Sequence, residues 1–382
     1  MSPGSTPGFV YLDYNATAPL RPEAREAVLK ALEAPGNPSS VHRFGRAARK
    51  LVEEARASVA ALVGAEPKRV VFTSGGTEAN NLALRLAIEQ AGVKSLIVSA
   101  IEHDSVLRPA RHAGLPIVEL PAGADGVVLL AALEEALAHA PKPALVALML
   151  ANNETGAIQP VAEVTRLAHE QGALLLCDAV QAAGKIAVDL SRLACDFLTL
   201  SAHKLGGPTG VGALVTRDDW VPAPLLRGGG QEQGQRAGTE NLPGIAGFGA
   251  AAAAALQSLP RMAEVAGLRD RLQAALLVAC PEAPVHGGGG PRLPNTLCIG
   301  MPGVPAETQV MALDLAGVAV SAGSACSSGK VTPSHVLTGM GLPEPTAREA
   351  IRFSLGWATS EADIERAARV WSEFWMKKRT DL

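Results

Sequence analysis

The sequence has no excess of charge of one sign, no run typical of a membrane span and no recognisable secretory leader. Its 34 Lys and Arg against 37 Asp and Glu leave a formal net charge of −3, so charge gives no support for a nucleic-acid or membrane-surface partner. No apolar run reaches membrane-spanning length without glycine, proline or charge. Residues 1–8 lack the charged and apolar regions of a secretory signal, which predicts a cytoplasmic location.

The five cysteines form no C-x-x-C pair, so neither a zinc site nor a disulfide framework is predicted. Four of them lie in apolar surroundings and are predicted to be small core residues: Cys177, Cys195, Cys280 and Cys298. Cys326 differs, because residues 321–330 around it are mostly small and polar. Its thiol is predicted to be mobile and solvated, and from these residues alone a loop cysteine without a role is an equally good interpretation.

The length of 382 residues is enough for two or three domains. The hydrophobic fraction of 48% is enough for a large core. Short apolar runs alternate with helical patterns at residues 70–72, 95–99, 116–120, 144–150, 173–177, 197–200 and 211–216. This alternation predicts an α/β fold with a mostly parallel sheet covered by helices. We predict a large domain over residues 15–257 and a smaller α+β domain formed by residues 1–14 and 258–382, with the Cys326 loop at about 321–334.

Polar residues follow the predicted strands at the points where the strands end. In open α/β sheets, ligands bind outside the carboxyl ends of the strands, so these side chains are expected to converge. The residues concerned are Thr77, His103, Asn153, Asp178, Gln181 and Lys204.

Lys204 comes shortly after a mostly apolar run, residues 197–200, and precedes two glycines and a proline. A lysine at the end of a buried strand is poorly solvated, which lowers its pKa and leaves a nucleophilic amine suited to a Schiff base. The alternative is a surface lysine in a Gly-Pro loop, since lysines are mostly exposed.

Asp178 and the glycines before Thr77 add to this interpretation. Asp178 ends an apolar strand, where it either pairs with a protonated ring nitrogen or caps a helix. Gly75 and Gly76 separate a strand from a helix, and such a helix N-terminus favours phosphate. His103 could stack on a flat ring or be a core histidine, and His203 could help to hold a phosphate. Together these groups are what pyridoxal 5′-phosphate (PLP) requires.

The sequence resembles the cysteine desulfurases of the NifS/IscS type, in the class V aminotransferase group of fold-type I PLP enzymes. The resemblance covers nearly the whole chain, from Tyr11 to about Thr359. Its motifs are residues 11–17 (YLDYNAT), 37–40 (NPSS), 73–81 (TSGGTEANN), 102–103 (EH), 152–154 (NNE), 178–181 (DAVQ), 201–204 (SAHK), 236–241 (RAGTEN), 323–328 (GSACSS) and 351–356 (IRFSLG). Smaller departures are Tyr14, where many relatives have Asn, and Ala322, where Ser is common.

The resemblance implies a role for each matching residue. Lys204 would carry PLP covalently and move the substrate Cα proton, Asp178 would pair with the ring nitrogen, and Gln181 with the ring hydroxyl. His103 would stack on the ring and transfer protons. The phosphate would be held by Gly76, Thr77, Ser201 and His203, with Thr239 from the other subunit of a homodimer. The substrate carboxylate would be bound by Asn153 and Arg352.

The implied reaction removes sulfur from L-cysteine, giving alanine and a persulfide on Cys326. The sulfur would pass to an acceptor, for iron–sulfur cluster assembly or other sulfur-containing products. By family analogy, Cys326 would also be a transient iron–sulfur ligand. No resident metal is expected. Three alternatives remain: a selenocysteine lyase, an aminotransferase, and a PLP-fold sulfur carrier with little turnover.

Overall fold

The computed structural model describes residues 9–217, 220, 223–323 and 333–379. Most of the predicted loop at 321–334, including Cys326, lies outside these residues.

The described residues form thirteen strands and thirteen α-helices. The strands are β1 (Val10–Tyr11), β2 (Val70–Thr73), β3 (Ser95–Ser99), β4 (Ile117–Leu120), β5 (Ala144–Met149), β6 (Leu174–Asp178), β7 (Phe197–Ser201), β8 (Gly212–Thr216), β9 (Val285–His286), β10 (Thr296–Gly300), β11 (Val318–Ala319), β12 (Ser321–Ala322) and β13 (Ala350–Ser354). The helices are α1 (Pro22–Glu33), α2 (Arg43–Leu62), α3 (Gly76–Glu89), α4 (Asp104–Arg111), α5 (Leu130–His139), α6 (Val161–Glu170), α7 (Leu190–Leu193), α8 (Leu242–Ser258), α9 (Met262–Ala279), α10 (Ala306–Leu315), α11 (His335–Gly339), α12 (Glu344–Arg348) and α13 (Glu361–Lys378).

Seven strands form the main sheet, in the order β2-β8-β7-β6-β5-β3-β4. The prediction of a mostly parallel sheet is confirmed, because only β8 runs against its neighbours β7 and β2. The connection from β7 to β8 is a short loop with no crossover helix, and such a loop can join only antiparallel strands. Parallel strands β5, β6 and β7 end at the same edge, which brings the residues after Met149, Asp178 and Ser201 together.

Helices cover both faces of this sheet. The cores pack α1, α2 and α8 on one face and α3 and α4 on the other. Helix α8 is rich in alanine and glycine, which allows close packing against α2: a Cβ at Gly249 would lie 2.6 Å from the Ala55 Cβ. The helical stretch Leu242–Ala279 is long and apolar enough to cross a membrane by length and composition, a test that core helices also pass, and half of its window is buried.

A second hydrophobic core lies between the small sheet and helices α9, α10 and α13. The small sheet has the order β12-β13-β10-β9, and its strands are antiparallel. Leu12, from the N-terminal segment, is fully buried in this core beside Trp371 and Phe353. The domain boundaries predicted from the sequence stay a prediction.

The four cysteines predicted to be core residues are all buried. The sequence pattern does not predict helix α4, because Pro109 lies inside it and the helix has only 8 residues.

Tyr14 and Gly356 join the N-terminal segment to the end of β13. The Tyr14 ring is 5% exposed, and burial raises its pKa to about 12. A Cβ at position 356 would overlap the Tyr14 ring, so only glycine leaves room for the ring in this position.

We expect Gly356→Ala to lower the free energy of unfolding by about 1–3 kcal/mol, because the added methyl group overpacks the contact with Tyr14. The midpoint of thermal unfolding measures this effect. Gly267→Ala is the matched control: no atom lies within 4 Å of a Cβ at this exposed helical position, so it should be neutral or slightly stabilising. Equal midpoints for the two variants would contradict this account.

Candidate active site

A cavity of about 460 Å³ lies at the carboxyl ends of β5, β6 and β7, next to β13. Ten of the predicted site residues line it: Gly76, Thr77, His103, Asn153, Asp178, Gln181, Ser201, His203, Lys204 and Arg352. The expected convergence of strand-end side chains is therefore found. Their individual roles stay predictions.

Lys204 lies in the turn after β7, which directs its amine towards the N-terminal segment. Its Nζ donates hydrogen bonds to the backbone oxygens of Asn15, at 2.7 Å, and Ala16, at 2.9 Å. The side chain is half-buried at the cavity wall, so the interpretation as a surface lysine is wrong.

Asp178 ends β6 and is 7% exposed. Its Oδ2 accepts a hydrogen bond from Asn80 Nδ2 at 2.9 Å, and its Oδ1 accepts one from the Val180 amide at 3.0 Å. The described residues 179–189 contain no helix, so the helix-cap interpretation of Asp178 is wrong. A carboxylate held by two neutral donors at a cavity wall can accept a further hydrogen bond from a cationic ring nitrogen.

His103 is the N-cap of α4 and is exposed to the cavity, so the interpretation as a core histidine is wrong. Although the ring is open to the cavity, the protein around it partly desolvates it, and this desolvation together with the charge of Lys204 lowers the pKa of His103 below its usual value, while Asp178 opposes this shift. The ring is therefore neutral near pH 7.

The N-terminus of α3 and the end of β7 face each other across the cavity. Gly76 begins α3, and a Cβ there would lie 3.0 Å from Val180 Cγ2 and 3.4 Å from Ser201 Cβ. Burial and the charge of Lys204 lower the pKa of His203 to about 4. His203 therefore offers a neutral ring, whose Nδ1 lies 3.0 Å from Thr17 Oγ1. The amides at the helix N-terminus and the Ser201 hydroxyl supply the donors that a phosphate requires.

Both Nη atoms of Arg352 already have hydrogen-bond partners in this structure. Its Nη2 donates to Asp13 Oδ1 at 2.6 Å, and its Nη1 donates to the Asn153 backbone oxygen at 3.0 Å. Among the described residues no group accepts from its buried Nε. A substrate carboxylate at Arg352 would therefore compete with Asp13, a residue that the sequence reasoning missed although it lies in the motif at 11–17.

The sequence analysis also did not predict Lys185 as a site residue, because nothing in the sequence distinguishes it from a surface lysine. It is 6% exposed, and its Nζ donates to Gln181 Oε1 at 2.6 Å and to Asn15 Oδ1 at 2.8 Å. Burial, together with the charges of Lys204 and Arg352, lowers the pKa of Lys185 well below its usual value. Both partners are amide oxygens, which only accept hydrogen bonds, so the amine is the donor in each contact. Lys185 thereby orients the Gln181 amide with Oε1 towards Lys185 and Nε2 available as a donor.

Thr239 is not among the described residues that line this cavity. Thr239 lines a separate cavity of about 210 Å³ with Ser74 and Arg236. Cys326 lies outside the described residues. On either side of it, Gly323 lines the main cavity and the Ser334 hydroxyl donates to Glu154 Oε2 at 2.5 Å.

The donors and acceptors of the main cavity fit PLP. An amine (Lys204), a carboxylate (Asp178) and a helix N-terminus that begins with Gly76 all face one space. The amine can bond to the aldehyde of PLP, the carboxylate can pair with its ring nitrogen, and the helix N-terminus can bind its phosphate. The Gly76 position also matters, because a Cβ there would narrow the space between α3 and β7.

Comparisons with known proteins agree with this chemistry. A model of the family "Aminotransferase class-V" matches residues 10–367. The chain is 46% identical over 368 residues to a cysteine desulfurase of Cereibacter sphaeroides, covering 94% of each chain. It is 41% identical to the cysteine desulfurase IscS of Dictyoglomus turgidum, covering 97% of this chain and 95% of that protein. A NifS-like protein from Rickettsia africae has a similar structure, with a TM-score of 0.89 and 34% identity over 96% of this chain and 99% of that chain.

We expect Lys185→Met to change the visible absorption of bound PLP and to weaken PLP binding about tenfold, or about 1.4 kcal/mol. Without Lys185, only the bond from Gln181 Nε2 to the Asn15 backbone oxygen at 2.9 Å holds the Gln181 amide among the described residues, and the side-chain oxygen of Asn15 loses a partner as well. Spectrophotometric titration of the apoprotein with PLP measures both quantities.

The control is Lys142→Met. Lys142 makes the same contact, from Nζ to Gln171 Oε1 at 2.8 Å, on the exposed surface. The absorption and affinity of this variant should match those of the wild type. If Lys185→Met also matches the wild type, Lys185 does not orient Gln181.

Proposed function

Because the chain belongs to the class-V aminotransferase family, we propose that it is a PLP-dependent cysteine desulfurase, which releases alanine from L-cysteine and passes on the sulfur. The relatives named above carry that name over nearly the full length of both chains. The observation that carries the proposal is the cavity itself. It combines the amine of Lys204, the carboxylate of Asp178, the N-terminus of α3 and the guanidinium of Arg352.

The cofactor is bound covalently to Lys204 in this proposal. When bound, PLP supplies an electron sink that makes the substrate Cα proton acidic. Asp178 holds the ring nitrogen in its protonated form, because a buried carboxylate favours a neighbouring cation. Gln181 Nε2 donates to the ring oxygen. The phosphate lies at Gly76 and Thr77, with Ser201 and His203 opposite them.

Lys204 also moves the Cα proton. Its amine hydrogen-bonds two backbone carbonyl oxygens in this structure, so it must leave Asn15 and Ala16 to reach a substrate. When it is not bonded to the cofactor, the Lys204 amine would be a competent base in this poorly solvated position. His103 lies beside the same space and hydrogen-bonds groups of the substrate or cofactor.

The substrate carboxylate binds at Arg352 and Asn153. An arginine offers a planar pair of donors to a carboxylate, and Asp13 occupies one of them in this structure. Substrate binding therefore requires Arg352 to share or exchange this partner. The buried Nε of Arg352 is a donor still available for that purpose among the described contacts.

The sulfur acceptor is Cys326. Its thiolate attacks the substrate sulfur, and the bond between that sulfur and Cβ breaks with its electron pair left on the carbon. The carbon takes up a proton and leaves as alanine, while Cys326 keeps the sulfur as a persulfide. The proposal is supported by Gly323, which lines the cavity and precedes Cys326 by three residues in the sequence.

We further propose a cytoplasmic protein whose persulfide is passed to an iron–sulfur scaffold protein, with Cys326 as a transient iron–sulfur ligand. Cell fractionation tests the location. Transfer of radiolabelled sulfur from Cys326 to a purified scaffold protein tests the acceptor, and no transfer would exclude that partner.

We expect Cys326→Ser to abolish persulfide formation while PLP still binds and absorbs as in the wild type. The measurement is mass spectrometry after brief exposure of the PLP-loaded protein to L-cysteine without reductant, with alanine assayed in parallel. The wild type should gain one sulfur on the Cys326 peptide and release alanine, and Cys326→Ser should do neither.

Cys280→Ala is the control for loss of a thiol, because Cys280 is buried in the core of the small sheet, away from the cavity residues. A PLP adduct on Lys204 without sulfur on Cys326 and without alanine would contradict the desulfurase and favour an aminotransferase. Alanine release only from selenocysteine would favour a selenocysteine lyase.

We propose that the chain forms a homodimer in which Thr239 of one copy reaches the phosphate of the other. The support is the position of Thr239, which lines a cavity beside Ser74 and not the main cavity of its own chain. Neighbouring contacts hold its segment: Arg56 and Glu232 form a buried ion pair at 2.7 Å, and Arg236 contacts Glu78 at 3.0 Å.

Mixed dimers distinguish action across the interface from action within one chain. When a Lys204→Ala, Thr239→Ala chain pairs with a wild-type chain, the one intact lysine site should bind PLP about tenfold more weakly, or about 1.4 kcal/mol. When Lys204→Ala and Thr239→Ala are on separate chains of the pair, that site should bind normally. The reverse pattern would show that Thr239 acts within its own chain.

A further inference from the structure

His103 is held from one side by the residue two positions after it. The Ser105 amide donates to His103 Nδ1 at 3.1 Å, and the Ser105 hydroxyl oxygen lies 2.8 Å from the same nitrogen. The direction of a backbone N–H is fixed, so Nδ1 must act as the acceptor in this geometry. A neutral imidazole has one proton, which must then be on Nε2.

Asn80 fixes the direction of the Ser105 hydroxyl. Asn80 Nδ2 donates to Ser105 Oγ and to Asp178 Oδ2, both at 2.9 Å, and Asn80 Oδ1 accepts from Thr199 Oγ1 at 2.7 Å. A carboxylate only accepts hydrogen bonds, so the NH₂ group of Asn80 must face Asp178. Ser105 Oγ is then an acceptor from Asn80, and its own hydrogen is free to point at His103.

This chain of hydrogen bonds is shielded from water. Thr199 is 0% exposed, Asn80 is 1% exposed, and both Ser105 and Asp178 are 7% exposed. Inside a protein each such bond is stronger than in water, and a broken bond leaves a buried polar group without a partner. Thr199 and Asn80 do not take part in the proposed reaction, so their complete pairing calls for another reason.

We propose that Asn80 and Ser105 are positioning residues that hold His103 with its proton on Nε2 and keep the Asp178 carboxylate in the same hydrogen-bonded unit. This inference rests on the proposed function in so far as His103 and Asp178 face the cofactor. His103 is then a hydrogen-bond donor towards the cavity in the resting enzyme. It can accept a proton only at Nδ1, and that step requires Ser105 to break its two contacts.

The electrostatic surroundings agree with this geometry. Burial of the ring and the charge of Lys204 lower the pKa of His103, and Asp178 opposes them without reversing the shift. His335 acts in the same direction as Lys204, and Asp104 acts with Asp178. The neutral ring, whose tautomer Ser105 selects, is therefore the form present near pH 7.

The test reads the tautomer directly, by nitrogen NMR of PLP-loaded protein labelled at its histidine ring nitrogens, with His103→Gln to assign the signal. The wild type should show His103 protonated at Nε2 alone. Ser105→Ala keeps the amide that donates to Nδ1, so it should keep the Nε2 tautomer, shift the Nδ1 signal through loss of the hydroxyl contact, and leave PLP affinity nearly unchanged. Ser105→Pro removes the amide itself, in the first turn of α4 where proline is tolerated, and should populate the second tautomer. Asn80→Ala should shift the Nδ1 signal as Ser105→Ala does and also weaken PLP binding about tenfold, or about 1.4 kcal/mol, because Asp178 loses one of its two donors.

Asn81→Ala is the matched control. Asn81 is the next residue on α3, and its amide donates only to Thr77 O of its own helix, at 2.8 Å. It should leave the tautomer and the affinity as in the wild type. If Asn80→Ala fails to fold, Thr199→Val tests the same unit, since it removes the donor to Asn80 Oδ1 without changing side-chain size, and it should shift the Nδ1 signal of His103.

A His103 proton on Nδ1 in the wild type would overturn the proposal. An unchanged Nε2 tautomer in Ser105→Pro would overturn it as well, and so would an Nδ1 signal that stays at its wild-type position in Ser105→Ala, Asn80→Ala and Thr199→Val, because those residues would then have only a structural role. The tautomer is read without turnover. Failure to form alanine and persulfide would therefore contradict the proposed function and leave this result standing.

Discussion

The hydrogen bonds of Asn15 connect the two sheets of the protein at the candidate site. Its amide donates to Ser354 Oγ at 3.0 Å in the small sheet, and its backbone oxygen accepts from Lys204 Nζ at 2.7 Å and Gln181 Nε2 at 2.9 Å. Its side-chain oxygen accepts from Lys185 Nζ at 2.8 Å. Asn15 is 1% exposed, so each of these partners would leave a buried polar group unpaired if it moved. The geometry of the cavity therefore depends on the N-terminal segment as much as on the strand ends.

Burial lowers the pKa values of several bases of the site. The pKa values of Lys185, His103 and His203 are all lowered, with burial as the largest cause and the positive charge of Lys204 as a further one. Neutral bases can act as directed hydrogen-bond donors and acceptors without adding charge that the interior would have to solvate. The site therefore leaves its remaining positive charge to groups with a partner, such as Arg352 beside Asp13.

Glu154 connects this site to the segment that contains Cys326. The carboxyl group is 2% exposed, and burial raises its pKa. It accepts from the Ser334 hydroxyl at 2.5 Å, and a Cβ at Gly323 would overlap it. One buried carboxyl group thus lies against both Gly323, which lines the main cavity, and Ser334, so the two residues that flank the segment are held at one place in the fold.

The sequence by itself determined the class of fold and most of the candidate site. Alternating apolar runs with polar residues at their ends predicted a mostly parallel sheet and the convergence of Asp178, His103 and Lys204, because strand ends in such a sheet meet at one edge. Only the tertiary structure decided what surrounds them. The network of Asn80 and Lys185 joins residues far apart in the chain, and neither an asparagine inside a helix nor a lysine after a glycine differs from a surface residue until burial and partners are known.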